Sequence, residues 1–152
     1  MLAYLNRIAS GKTQADMLEA VGSALVDVTA GRFASETDPS GRPWVKSQRA
    51  LEQGGQTLSD NATLRRSFRY LVVSSDAVSY GTPVWYAKVH QDGMVIQAKR
   101  GKALRWNQGG TQRFARKVTI PERRMLPENE EPEEYQRAAR AAVGVVLLKG
   151  VP

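Results

Sequence analysis

The chain has no cysteine and only one histidine, His90, in 152 residues. The missing cysteine excludes disulfides, thiol nucleophiles and thiolate metal sites, and fits a reducing compartment. A lone histidine gives no His–His metal pair and no choice of partners for a conventional triad. The longest apolar stretch near the C-terminus, Ala141 to Leu148, is far too short to span a bilayer. The opening Met1-Leu2-Ala3-Tyr4-Leu5-Asn6-Arg7 has no charged start followed by an apolar run, so no signal peptide is expected. Internal repeats and low-complexity tracts are also missing. Gly11-Lys12-Thr13 resembles the end of a phosphate-binding loop, but that motif needs a glycine where Asn6 stands and a preceding strand that the sequence does not offer.

What is present is an ordinary globular composition, 41% hydrophobic and 24% charged, in a length that suits one domain with its own core. The net charge of +7 is unevenly placed. From Lys99 to Arg124 the chain carries Lys99, Arg100, Lys102, Arg105, Arg113, Arg116, Lys117, Arg123 and Arg124 against Glu122 alone. Glu128, Glu130, Glu131, Glu133 and Glu134 follow at once. A basic segment beside an acidic helix start suits a subunit whose basic arm meets its neighbour's acidic patch. It also suits phosphate contacts, and a solvated charged surface is the plain alternative.

The order of elements is readable from periodicity. Thr13 and Asp16 read as a helix start, with the hydroxyl as cap and the acid at the positive end. Met17, Val21, Ala24, Leu25 and Val28 then form one apolar stripe, which Gly31 weakens at its end and Phe33 closes. Asp38-Pro39-Ser40-Gly41 is a turn, and Pro43 holds Arg42 extended before Trp44. The segment 45–57 reads as a long adaptable loop with a helical turn near Ser47 to Glu52, and Ser59 or Asp60 caps a short helix. Phe68 to Val73 and Ala77 to Tyr80 read as a β-hairpin. Pro83 to His90 is read as a short helix, and Asp92-Gly93 turns the chain into a strand from Met94 to Ala98. Gly101 to Gln112 is read as an exposed loop. Lys117 to Ile120 is a strand ended by Pro121, and Pro132 opens a last helix with Tyr135, Ala138, Ala139, Ala142, Val143 and Val146 inward. The expected fold is α+β: a small antiparallel sheet packed with an N-terminal and a C-terminal helix, in a single domain over 1–152 with long projecting loops at about 35–57 and 99–116. Loops of that length are functional or disordered, and here they read as interaction arms.

No catalytic constellation emerges. His90 is read as a turn or interface histidine rather than a general base with Asp92 or Asp76. The acids from Glu128 to Glu134 are explained by the helix dipole rather than by a cation. Trp85, beside Tyr86, is assigned to the core. Trp44 and Trp106 stand among polar neighbours and are read as either core residues or anchors of subunit contacts.

The order of short motifs adds a resemblance. A helix ends in Phe33, Asp38-Pro39-Ser40-Gly41 makes a turn, and Trp44 follows. Then come Leu64-Arg65-Arg66-Ser67, Gly81-Thr82, Tyr86-Ala87-Lys88-Val89-His90-Gln91-Asp92-Gly93, and Ile120-Pro121-Glu122-Arg123-Arg124-Met125-Leu126. In this order they resemble the phage virion morphogenesis family, the Mu-like G and P2-like S tail-completion proteins, from about Met17 to Val143. Ser40 replaces the family's usual acid or asparagine, Met125 stands where phenylalanine is common, and 45–57 lacks the usual basic helix start.

The resemblance implies a structural, non-enzymatic virion protein without cofactor or metal. It would complete or terminate the tail at the head–tail connector or tail end and join it to the head. By analogy with connector and terminator proteins, it would work as a ring, with a hexamer expected. Its implied partners are itself, other neck or tail proteins such as the connector and tail tube, and possible contact with packaged DNA, with no membrane. Its implied place is the virion neck or tail end, after synthesis in the host bacterial cytoplasm. The contact residues expected are Arg42, Trp44, Arg65, Arg66, Lys99, Arg100, Lys102, Arg105 and Trp106. Two other readings stay open: a nucleic-acid binder using the basic 99–124 region with Trp106 and Phe114 as stacking platforms, and a transient assembly factor.

Overall fold

The computed structural model describes residues 12–99, 101–128 and 132–148. In chain order the elements are α1 (Lys12–Ser35), α2 (Gln48–Gln53), α3 (Thr63–Arg66), β1 (Arg69–Val72), β2 (Val78–Gly81), α4 (Ala87–Asp92), β3 (Met94–Gln97), β4 (Leu104–Gln108), β5 (Thr111–Ala115), β6 (Lys117–Ile120) and α5 (Glu133–Leu148). The α+β class holds, with antiparallel strands between an N-terminal and a C-terminal helix. The strands form three separate two-stranded pairs, β1–β2, β3–β6 and β4–β5, rather than the one sheet expected. By packing, the chain divides into two compact units. Unit 1 comprises Met1–Gly31, Ser67–Pro83 and Pro127–Pro152; unit 2 comprises Arg32–Arg66 and Val84–Leu126.

Unit 1 holds most of α1, the β1–β2 hairpin and α5. Its centre is Tyr135, fully buried on α5 as the apolar periodicity of that helix predicts. The Tyr135 hydroxyl shares a 3.2 Å hydrogen bond with Thr29 Oγ1, which also donates to Leu25 O one turn back at 2.9 Å. The Tyr135 ring lies 6.2 Å from that of Tyr80 on β2. Gly22 faces Tyr70 so closely that a Cβ there would meet Tyr70 Cδ2 at 2.4 Å. Thr13 lies inside α1 and is buried, so it does not occupy the expected cap position. Gly144 does not shorten α5, which runs on to Leu148.

Unit 2 begins with the last turn of α1. Gly31 does not stop that helix. The stop comes at Glu36, whose φ of 53° lets Thr37 N–H reach back to Arg32 O at 3.3 Å. This is the left-handed closure usually given to glycine. A glutamate stands there because its carboxylate has two further tasks: it accepts Thr57 N–H at 2.6 Å and pairs with Lys46. The helical turn expected near Ser47 to Glu52 is α2, and Ser47 caps it, its Oγ accepting Ala50 N–H at 3.2 Å. The next helix starts later than expected. Asn61, not Ser59 or Asp60, bonds its first residue, with Oδ1 accepting Thr63 N–H.

Residues 94–120 of unit 2 form one interrupted ribbon. β3 pairs with β6 from Met94–Ile120 to Gln97–Lys117, and Ala98 N–H continues the ladder to Arg116 O. The inner pair, β4–β5, then starts at Leu104–Ala115 and closes over Gly109-Gly110, both at positive φ. One strand advances a single residue, from 116 to 115, while the other takes six, from 98 to 104. The strand bulges between the ladders, with Lys99 and residues 101–103 outside both. Much of the expected 99–116 loop is thus a hairpin, with Lys99 and Lys102 in the bulge at its base.

The glycines of α1 test the packing of unit 1. Gly31→Ala, with open space around it, should gain up to about 1 kcal/mol from helix propensity. Gly22→Ala should lose about 1–3 kcal/mol, since the clashing Tyr70 atoms lie near its backbone. Urea denaturation of the two variants measures the opposite signs.

Candidate interaction surface

The turn after α1 shows how unit 2 is fastened. Asp38 is buried, and its Oδ1 accepts Ser40 N–H at 2.8 Å and Arg42 N–H at 2.9 Å, while Oδ2 accepts Arg42 Nε at 2.8 Å. Gly41 N–H closes the turn onto Asp38 O at 2.9 Å, with Gly41 at φ 81°. Burial raises the Asp38 pKa, but the Arg42 and Ser40 hydrogen bonds outweigh it, and the net shift is downward. Glu36 behaves alike: burial raises its pKa, and the bonds from Lys46 and Thr57 carry it below the ordinary range.

Trp44 follows on that turn. Its N–H donates to Glu36 O at 2.7 Å, its ring meets Phe33 edge-on at 5.5 Å, and its Nε1–H donates to Arg124 O at 3.0 Å. Only 5% of it is exposed. The expectation of Trp44 as a partner contact is therefore corrected: its hydrophobic and polar ends are both satisfied within its own unit. Arg42 is exposed at its tip but anchored at Nε by Asp38.

The other motif residues act the same way, as clasps inside one unit. Gln91 Oε1 accepts Met125 N–H at 2.9 Å and Leu126 N–H at 3.1 Å, and its Nε2 donates to Leu126 O at 2.7 Å. Arg123, buried, donates its N–H to His90 O and its Nε to Val45 O, both at 2.7 Å. Gly93 lies so close to Glu122 N that a Cβ would come within 2.9 Å. Within unit 1, Ser67 Oγ and Thr82 Oγ1 share a 2.5 Å hydrogen bond. Leu64 and Met125 are core residues.

His90 sits on α4 with its Nδ1 buried and without a hydrogen-bond partner among the described residues. Burial, helped by the Arg123 charge, lowers its pKa, so the ring is neutral at physiological pH. It lines a hollow with Arg49, Leu58, Asp60, Asn61, Leu64 and Tyr86. Among the described residues no group of three or more His, Cys, Asp or Glu side chains could hold a metal ion. No helix among them is long and apolar enough to cross a membrane.

The surface has a different character. Among the described residues thirteen large apolar side chains are exposed and nine apolar residues are buried, two of them alanine. Trp85 is the extreme case, 82% exposed, and the expectation of a core role is overturned. It precedes α4, outside the spacing that buries Ala87, and its ring contacts Tyr86 edge-on at 5.6 Å. On the β4–β5 hairpin, strand alternation sorts the side chains. Trp106 pairs across from Arg113, with Leu104 and Gln108 on the same face. Glu52 of α2 holds that face by accepting from Gln108 at 2.9 Å and standing 3.8 Å from Arg113. The opposite face presents Arg105 beside Phe114, which is 63% exposed.

The remaining expected contact residues divide by location. Lys99 and Lys102 stand exposed in the bulge, Arg105 and Trp106 on the hairpin, and Arg65 and Arg66 on α3. Arg100 lies outside the described residues. Sequence reasoning put Trp85 in the core and missed the half-open apolar face of Met94 and Ile96. Phe114 was read as a stacking platform, and the Gly109-Gly110 pair between five-residue segments was the hairpin signal that could have placed it on a strand.

The comparisons with known proteins bear on this assembly of clasps. The model of the phage virion morphogenesis family matches residues 1–143, a span that includes every clasp described above. The chain belongs to the phage virion morphogenesis family. No curated protein and no solved structure matches it. Membership makes it a phage structural or assembly protein, which acts on or within other phage structural proteins.

The turn carboxylate yields a prediction. Asp38→Asn should destabilise the protein by about 2–3 kcal/mol, because charge-assisted bonds become neutral and one acceptor becomes a donor. With Asp38 depressed in the folded state, its contribution is present above the unfolded carboxylate value near ~4 and is lost as pH falls below it. The gap between wild type and Asp38→Asn, measured by thermal melting, should therefore narrow in acid.

Proposed function

We propose that this member of the family is a permanent virion component of the head–tail connector or tail end. It completes or terminates the tail and joins it to the head, as a ring of identical copies, six by analogy with connector and terminator rings. The observation that carries this reading is that exposed large apolar side chains follow one another along strands, Met94, Val95 and Ile96 on β3 and Tyr70 and Leu71 on β1. A surface of this kind marks contact with other proteins. Every strand pair adds to it, because a two-stranded sheet leaves both outer edges open to pairing. The exposed bases of the ribbon, Lys99, Lys102 and Arg105, set register and approach rather than most of the affinity. No reaction is assigned, since the polar clusters act as structural clasps.

A narrower second reading is favoured by one feature, the Arg105–Phe114 pair on the outward face of the hairpin. A cation beside an exposed ring is what a stacking platform for single-stranded nucleic acid uses. In a ring around the genome's exit path, the two readings are compatible.

Protein composition of purified mature particles should contain this chain at a fixed copy number, and native mass spectrometry of the isolated protein should show a discrete ring. Absence from mature particles would instead make it a transient assembly factor. Retention of single-stranded DNA at low salt should fall steeply as salt rises if the second reading operates. No retention at low salt rules that reading out.

A further inference from the structure

The formal charge of the chain divides sharply between its two units. Unit 1 holds six basic and nine acidic residues, a net −3; unit 2 holds sixteen basic and six acidic residues, a net +10. Within unit 2 every acid is already matched. Each of the six stands 3.8 Å or less from a different base, Glu52 from Arg113 and Glu122 from Arg124 among them. The unmatched charge is concentrated on the ribbon. Residues 94–120 contain no Asp or Glu, and Glu52 of α2 is the one acid among the described residues that pairs with a ribbon base.

The junction between the two ladders gathers that charge. Ala98 N–H bonds Arg116 O, and the next rung is Leu104–Ala115. Lys99 and Lys102 therefore stand on one strand where Arg116 and Lys117 stand on the other. All four are exposed, and none has an ion-pair or side-chain hydrogen-bond partner among the described residues. Like charges gathered without an acid repel one another until an anion is brought among them. One rung beyond Leu104–Ala115 comes Arg105–Phe114, on the face opposite the one that Glu52 holds. Asn107 and Gln112 lie on that same face by strand alternation. It thus combines a cation, an open ring and two amides, with no acid.

We propose that Lys99, Lys102, Arg116 and Lys117 grip the phosphates of a single nucleic-acid strand that lays a base on Phe114. This rests on the second reading above and names the groups that hold the backbone. The occupant is nucleic acid rather than an acidic protein surface because the cations adjoin an exposed ring with a guanidinium beside it. Carboxylates would satisfy the charges and leave that ring in water, whereas a base covers it. The strand is single because a duplex keeps its base faces stacked inside and offers none to Phe114. Phosphate contacts position a strand without reading its sequence. Binding is therefore indifferent to sequence and dependent on salt. Five cations, counting Arg105, give a slope of about −3.5 in log affinity against log salt.

A fourfold variant, Lys99→Gln, Lys102→Gln, Arg116→Gln and Lys117→Gln together, tests the grip. All four positions are exposed, so thermal melting should match wild type. Fluorescence anisotropy of a labelled oligothymidylate should show wild-type affinity falling about 100-fold between about 50 and 200 mM salt, and that of the variant only about threefold. Arg65→Gln with Arg66→Gln removes two cations of α3 from the same unit and should keep the wild-type slope. Phe114→Leu should lower affinity about tenfold at every salt, leave the slope unchanged, and leave binding to a duplex unaffected. A fourfold variant with the wild-type slope, while Phe114→Leu still weakens binding, overturns the grip and leaves the second reading standing. So does an Arg65, Arg66 variant whose slope falls as far as that of the fourfold variant, since the charge of the whole unit would then be acting. Phe114→Leu that binds as wild type overturns the second reading, and the single strand with it. Polyglutamate that displaces the oligothymidylate as well as an unlabelled copy does makes this a surface for an acidic protein and overturns both. No binding at low salt also overturns both.

Discussion

The fold of unit 2 depends on the burial of Trp44. The side chain gathers three segments that are remote in sequence: the end of α1 through Phe33 and Glu36, the Asp38 turn that precedes it, and the strand-exit segment through Arg124 O. A tryptophan is suited to this because it joins a large apolar body to one obligatory donor, and both are used here. The turn carboxylate of Asp38 fixes the direction from which the ring enters. Glu36 takes a left-handed conformation so that the helix can end where the ring needs space. Loss of the ring would leave the Arg124 carbonyl unpaired and open a void beside Phe33, a double penalty for one substitution.

The same logic extends to the short motifs that mark the family. Gln91 grips Met125 and Leu126, Arg123 grips the carbonyls of Val45 and His90, and Ser67 grips Thr82. Each motif is half of a clasp, and its partner is another motif. The ordered set therefore describes how the chain is fastened. The exposed residues stand largely outside that set: Trp85, Arg105 and Phe114 on the outward face of the hairpin, and Lys99 and Lys102. Fastening and exposure are thus carried by separate side chains.

This separation explains what could be read from the sequence. The apolar stripe of α1, the Asp38 turn, the hairpin of β1 and β2, the strand at Lys117–Ile120 and the inward face of α5 were legible because local chemistry and tertiary packing agree there. The ribbon was not, because the stretch between its two ladders breaks the alternation, and the lysines and glycine there look like loop. The three tryptophans show the other limit. Trp44 sits among polar residues yet is buried, since a turn delivers it to a distant carbonyl. Trp85 sits among apolar residues yet is exposed, since it lies on the turn two residues ahead of Ala87, where the helix begins. Burial of an aromatic outside a long periodic element is set by long-range geometry, which neighbours in sequence do not report. The division of charge was half visible, as a basic segment before an acidic one, but its extent depends on which distant segments fold together.

The account thus rests on one tryptophan held inside the protein and another left in water. Exchange of the indole N–H protons with deuterium, followed by NMR on the dispersed protein, reads both at once. Trp44 should exchange far more slowly than Trp85, because its Nε1–H is buried on the Arg124 carbonyl while the Trp85 ring stands in water. An indole proton of Trp44 that exchanges as fast as that of Trp85 would contradict the account at its root.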